Sequence, residues 1–228
     1  MTRRVPEAAI VVGVLFATTW LVFPVLVGEV DLVADPASFL GYVGVAAALF
    51  YPFAAYTVTR AADPDDTIPP RPVLAVAAAV GLLCVTLGLA GGEPLLGLLV
   101  GLGVAVPAAV YAVVFGAVSP PPVPTLVAGT ALGIASLAGG LVLGQPWLGG
   151  LAALFAFLPA LGMYDHLTND RLPTRWVLGA TVLATLAVVG FGLGVAASPT
   201  ATLAAVLTVA FGGIVAARVA GVPPREAF

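Results

Sequence analysis

The chain has 228 residues, 61% of them hydrophobic and only 8% charged, with a mean hydropathy of +1.15. A soluble domain carries about a quarter charged residues, so this chain cannot cover a water-facing surface of its own size and must give that surface to lipid. The net charge of −3 implies no electrostatic partner, and nothing points to nucleic acid.

The apolar runs are continuous for about twenty residues. Barrel strands would alternate over about ten, so an all-α polytopic membrane protein is expected. In chain order the expected spans are 6–28, 37–59, 72–91, 94–116, 125–143, 146–164, 176–197 and 200–220, within a single integral membrane domain, 1–228. The first is too apolar for too long, and lacks an A-x-A site, to read as a cleaved signal peptide. The third holds the single cysteine, Cys84, which forms no internal disulfide or Cys-x-x-Cys site and reads as a packing residue. "GGEP" alone separates spans three and four, and "ASPT" spans seven and eight; Gly and Pro before a new apolar run are turn signals.

The charges test this count. With a cytoplasmic N-terminus the inner segments are 1–5, 60–71, 117–124, 165–175 and 218–228. They hold Arg3, Arg4, Arg60, Arg71, Arg171, Arg175, Arg218 and Arg225, which is every basic residue. The outer segments hold Glu29, Asp31, Asp35 and Glu93. The positive-inside rule predicts this asymmetry. Eight helices with both termini cytoplasmic, in the cell membrane, are therefore expected. Lys is absent, which removes the Schiff base of a retinal protein and the lysine of a phosphate-binding loop.

Two internal patterns recur. Pro52 and Tyr56, Pro107 and Tyr111, and Pro159 and Tyr164 each place a proline about one turn before a tyrosine, on spans two, four and six. An aromatic belt with tolerated kinks explains this; so would even-numbered helices lining a common cavity. More coarsely, "TRAADPDDTIPPR" follows the second span and "YDHLTNDRLPTR" the sixth, which suggests a four-plus-four helix pseudo-repeat.

No Asp, Glu, Arg or His lies in the middle of a span, which disfavours proton-coupled transport. Chemistry then falls to the cytoplasmic face. Asp63, Asp65 and Asp66 lie in one loop there, and Asp165, His166, Asn169 and Asp170 in the other. Carboxylates are hard oxygen ligands, and magnesium takes one or two of them while bridging to substrate phosphates. Arg60, Arg71, Arg171 and Arg175 are candidate planar donors for phosphate oxygens. The plain alternative is that these loops only set topology.

The layout resembles the UbiA superfamily of intramembrane prenyltransferases over about residues 10–220. "DPDDTIPPRPV" is similar to the family's first Asp-rich loop, "FGAVSPPPVP" to its Y-S-x-P-P segment, and "DHLTNDRLPTRWVLG" to its second Asp motif. Against the first motif, N-D-x-x-D-x-x-x-D, Asp63 matches, while Thr59, Arg60 and Thr67 stand at the other positions. In the second, Asp165 and Asp170 are one residue further apart than in the family, Asn169 replaces Gly, and eight helices stand for the usual nine. The resemblance implies a prenyl diphosphate donor and an apolar or lipid acceptor. It further implies Mg2+ held by Asp63, Asp66, Asp165 and Asp170, with Arg71 and Arg171 on the diphosphate. The other reading is a non-catalytic multi-pass protein, either a small-molecule permease or an assembly partner.

Overall fold

Among the described residues, seven helices open on a proline. At the first helical position its missing N–H costs nothing, and its fixed φ already suits the helix. The computed structural model describes residues 5–30, 35–61, 63–168, 173–195 and 197–221. Among these the elements are α1 (Val5–Leu26), α2 (Pro36–Arg60), α3 (Pro64–Thr67), α4 (Pro70–Ala90), α5 (Pro94–Val114), α6 (Pro122–Val142), α7 (Pro146–Thr168), α8 (Thr174–Gly194) and α9 (Pro199–Gly221). All but α3 are long and apolar enough to cross a membrane. The chain is a multi-pass helical membrane protein.

Two boundaries depart from the sequence reading. The segment after α2 is not a plain loop, because α3 forms inside it. The helix α7 runs on to Thr168, four residues past the expected limit, and takes Asp165 and His166 into its last turns. Loss of hydrophobicity marks where lipid ends, whereas a helix ends where its backbone hydrogen bonding ends; the two need not coincide.

The helices form two compact units, Met1–Val118 and Ser119–Phe228. In the first, α1 pairs with α2 and α4 with α5, and α2 joins the pairs by packing on both α4 and α5. Its buried centre is Leu40 and Val43 of α2 against Cys84 of α4, surrounded by Leu21, Val80 and Val100. In the second, α6 pairs with α7 and α8 with α9, and α7 packs on α9. Leu161, Val177 and Ala216 form one buried cluster there, and Leu141, Ala201 and Ala205 another.

The α4–α5 and α6–α7 hairpins are built alike. "GLAGGEPLLG" (88–97) and "GLVLGQPWLG" (140–149) occupy equivalent turns. Glu93 N–H donates to Gly88 O and Gln145 N–H to Gly140 O, both at 2.8 Å. Gly92 and Gly144 hold φ of 73° and 68°, where a side chain would be strained. A glycine pair then lets the two backbones touch. A Cβ on Gly97 would lie 2.8 Å from Gly88 Cα, and one on Gly149 2.7 Å from Gly140 Cα. Small residues permit this approach where no hydrophobic effect drives helices together.

Large apolar side chains face outward all along the helices, Leu183 being 69% exposed and Leu15 61%. In water such patches would drive association; in hydrocarbon they are simply solvated. Hydroxyls are hidden locally. Thr130, Ser136, Thr181, Thr185 and Thr208 each donate to the carbonyl four residues before, at 2.8–2.9 Å, which keeps polar atoms satisfied inside a bilayer.

Candidate functional site

The first unit holds a partly open cavity of about 950 Å³, lined by α1, α2, α4 and α5 and by Ile68. That is the upper end of the range for ligand pockets. On α2 the wall is one stripe, Val43, Ala47, Phe50, Ala54 and Val58, spaced at three and four residues so that all lie on one helix face. Sixteen residues separate Val43 from Thr59, a helical rise of about 24 Å. The cavity is therefore an apolar slot elongated along α2.

Tyr51, Thr59 and Tyr111 bring hydroxyls to this wall, and the two tyrosines tie elements together. Pro107, in the middle of α5, has no N–H to give the carbonyl four residues before it. That carbonyl belongs to Gly103, and Tyr51 supplies the missing donor, with its hydroxyl 2.5 Å from Gly103 O. The second is Tyr111, whose hydroxyl donates to Ile68 O at 2.7 Å and reaches Pro64 O at 3.0 Å. Ile68 and Tyr111 both line the cavity. The acidic turn is thus bound to one end of the slot.

The turn itself is a single helical turn. Pro64 starts it, and Thr67 N–H and Ile68 N–H return to Asp63 O and Pro64 O. The Thr67 hydroxyl donates to Asp63 O at 3.0 Å. Asp63, Asp65 and Asp66 are all exposed. Asp63 shares a side-chain hydrogen bond with Asp65 and feels the negative charges of Asp65 and Asp66, and these hold its carboxyl above the usual range.

Asp63 and Asp65 form a close pair, which is the donor count magnesium takes when phosphate oxygens and water complete its shell. Crowded like charge also favours a cation there. Among the described residues, no group of three or more His, Cys, Asp or Glu side chains could hold a metal by itself.

Because the folded pKa of Asp63 is raised, the turn binds protons more tightly folded than unfolded. Its contribution to stability is present below the ordinary Asp range and is lost as pH rises through the raised value. Asp65→Asn removes the main cause, so the Asp63 midpoint should fall toward the ordinary range. Carboxyl ¹³C shifts across a pH titration measure this, and an unmoved midpoint would refute the assigned cause.

The other expected site residues fall as follows. Arg60 ends α2, and Arg71 lies in the first turn of α4; both are exposed. Asp165 is half-buried in the second unit, with one carboxylate oxygen shielded from solvent. His166 beside it is exposed. Asn169, Asp170 and Arg171, and the side chain of Arg175, lie outside the described residues. The structure brings Asp63 and Asp65 together with Asp66 near by, on the turn whose following residue, Ile68, lines the apolar slot. Of the recurrent Pro–Tyr pairs, Pro107 and Tyr111 line the slot, but Tyr56 faces outward at 42% exposure and Tyr51 takes its place. The spacing of hydrophobic residues alone does not separate these faces on a helix that is apolar all round.

Comparison with protein-family models, with curated proteins and with solved structures finds no match to this chain.

Proposed function

We propose that the protein is a UbiA-like intramembrane prenyltransferase of the cell membrane, acting on a prenyl diphosphate and an apolar or lipid acceptor at the cytoplasmic face. The observation that carries this is the apolar slot of about 950 Å³ with the Asp63–Asp65–Asp66 turn bound to its end. An amphiphile with a long hydrocarbon chain and a polyanionic head fits that pairing of surfaces, provided a cation lies between head and turn. Bound Mg2+ would neutralise charge on the leaving diphosphate. Asp63 and Asp65 would hold the ion, with Asp66 adding charge. Arg71, at the start of the helix that leaves the turn, would contact diphosphate oxygens. The slot keeps the chain out of water and confines the head to the membrane surface. For the second acidic segment, the family resemblance alone assigns Asp165, Asp170 and Arg171 to metal and diphosphate.

The test is transfer from a radiolabelled prenyl diphosphate to extracted lipid by the purified protein in vesicles. Turnover should require magnesium and fall by at least about 100-fold in Asp63→Ala and Asp170→Ala proteins, the scale of losing an electrostatic contact to the transition state. Unchanged turnover in both variants would remove these residues from the site.

The almost wholly apolar wall also favours a second reading. A non-catalytic carrier or permease for a neutral apolar molecule needs the slot but not the acidic turn. Chain binding without magnesium dependence, and without turnover, would select it.

A further inference from the structure

We infer that Tyr111 is a positioning residue, a latch that holds the acidic turn closed over the end of the apolar slot. Its catalytic consequence rests on the prenyltransferase reading; the latch itself does not. Tyr111 is the point where slot and turn meet. Its ring is part of the slot wall, and its hydroxyl donates to Ile68 O at 2.7 Å and lies 3.0 Å from Pro64 O. Those two carbonyls belong to the residue that opens α3 and the residue that follows it, so the single proton of this hydroxyl is shared between the two ends of the turn.

Among the described residues the turn otherwise packs only lightly, on α2. Its own hydrogen bonds run between neighbours, from Thr67 to Asp63 and from Ile68 to Pro64. A four-residue helix has no buried side chain of its own and is far below the length at which a helix persists alone. The Asp63, Asp65 and Asp66 side chains are all exposed and give the turn no buried anchor. The ring of Tyr111 is fixed from the other side by Phe115, with centroids 4.6 Å apart. A rigid aromatic donor on α5 therefore opposes a turn with little hold of its own.

If the latch sets the turn, an apolar chain lying against Tyr111 and Ile68 stiffens both, and the carboxylates are held where a head group arrives. Loss of the hydroxyl should then raise KM for the prenyl diphosphate more than it lowers kcat, since the carboxylates remain but are less well placed.

The direct test needs no substrate. Ile68→Cys, in a Cys84→Ala background, puts a thiol at the half-buried position behind the turn. Its rate of labelling by a charged, water-soluble maleimide reports how often the turn lifts. Tyr111→Phe keeps the ring and its packing, and should raise that rate about tenfold, the effect expected for a lost hydrogen bond. Tyr51→Phe, the same chemical change on α2, should leave it unchanged. Equal rates with and without the Tyr111 hydroxyl would overturn the latch. So would an equal rise in both variants, which would mean general loosening. Labelling that behaves as expected in a protein that never turns over a prenyl diphosphate would keep the latch and discard the enzyme.

Discussion

Gly97→Ala should lower the unfolding temperature sharply, whereas Gly103→Ala on the same helix should not. The added methyl at position 97 would sit 2.7 Å from Cys84 O and 2.8 Å from Gly88 Cα, both backbone atoms that cannot rotate away. The helices α4 and α5 must separate to admit it, and every contact along the hairpin weakens together. The cost is about 3 kcal/mol, the upper range for overpacking a well-fitted site. At position 103 nothing lies within 4 Å of the same methyl. Only the backbone term remains there, and it favours Ala over Gly by about 0.5–1 kcal/mol inside a helix. Gly149→Ala should repeat the Gly97 result in the second unit, because its methyl would meet Ser136 O at 2.5 Å. Thermal unfolding of the three variants in one detergent measures this. A Gly97→Ala protein as stable as its parent would mean that the hairpin contact is not a source of stability.

Ala47→Phe should separate chain binding from folding. Ala47 lies in the slot wall, on the α2 stripe between Val43 and Phe50. A phenyl ring there should occupy part of the slot and prevent a long chain from reaching the Val43 end. Losing the burial of two or three methylene groups costs about 2 kcal/mol, or about 30-fold in affinity. A five-carbon prenyl diphosphate ends before the obstruction and should bind as before. Filling empty space should leave stability equal or higher, so weaker binding could not be ascribed to unfolding. Equilibrium binding of long and short prenyl diphosphates decides it; equal losses for both, or no loss for either, would place the chain elsewhere.

Much of the architecture was written in the sequence because the bilayer imposes one length scale. Runs of about twenty apolar residues have few alternatives in lipid, and all eight expected spans are met by helices. The short helix α3 was hidden for a physical reason. Its residues, PDDT, read as a solvated turn, and it is held partly from outside by a tyrosine more than forty residues away. The hairpin repeat was hidden differently, since "GLAGGEPLLG" and "GLVLGQPWLG" share the glycines and the proline that the turn needs while the rest of the apolar sequence is free to drift. The site was legible as chemistry and not as geometry. Sequence singled out Asp63 and its neighbours, and the structure adds the slot beneath them. It also exchanges Tyr56 for Tyr51, which sits five residues earlier and so on a different face of α2. Facing cannot be read from hydrophobicity when both the lipid side and the slot side are apolar.

The most direct test of the central claim is photo-crosslinking with a prenyl diphosphate that carries a diazirine at the end of its chain, followed by mapping of the labelled peptides. The account predicts labelling of α2 near Val43 and Ala46 and of α4 near Val80, lost on competition by unlabelled prenyl diphosphate and weakened without magnesium. Labelling confined to outward-facing residues such as Leu83 and Leu183, indifferent to competitor and to magnesium, would contradict it.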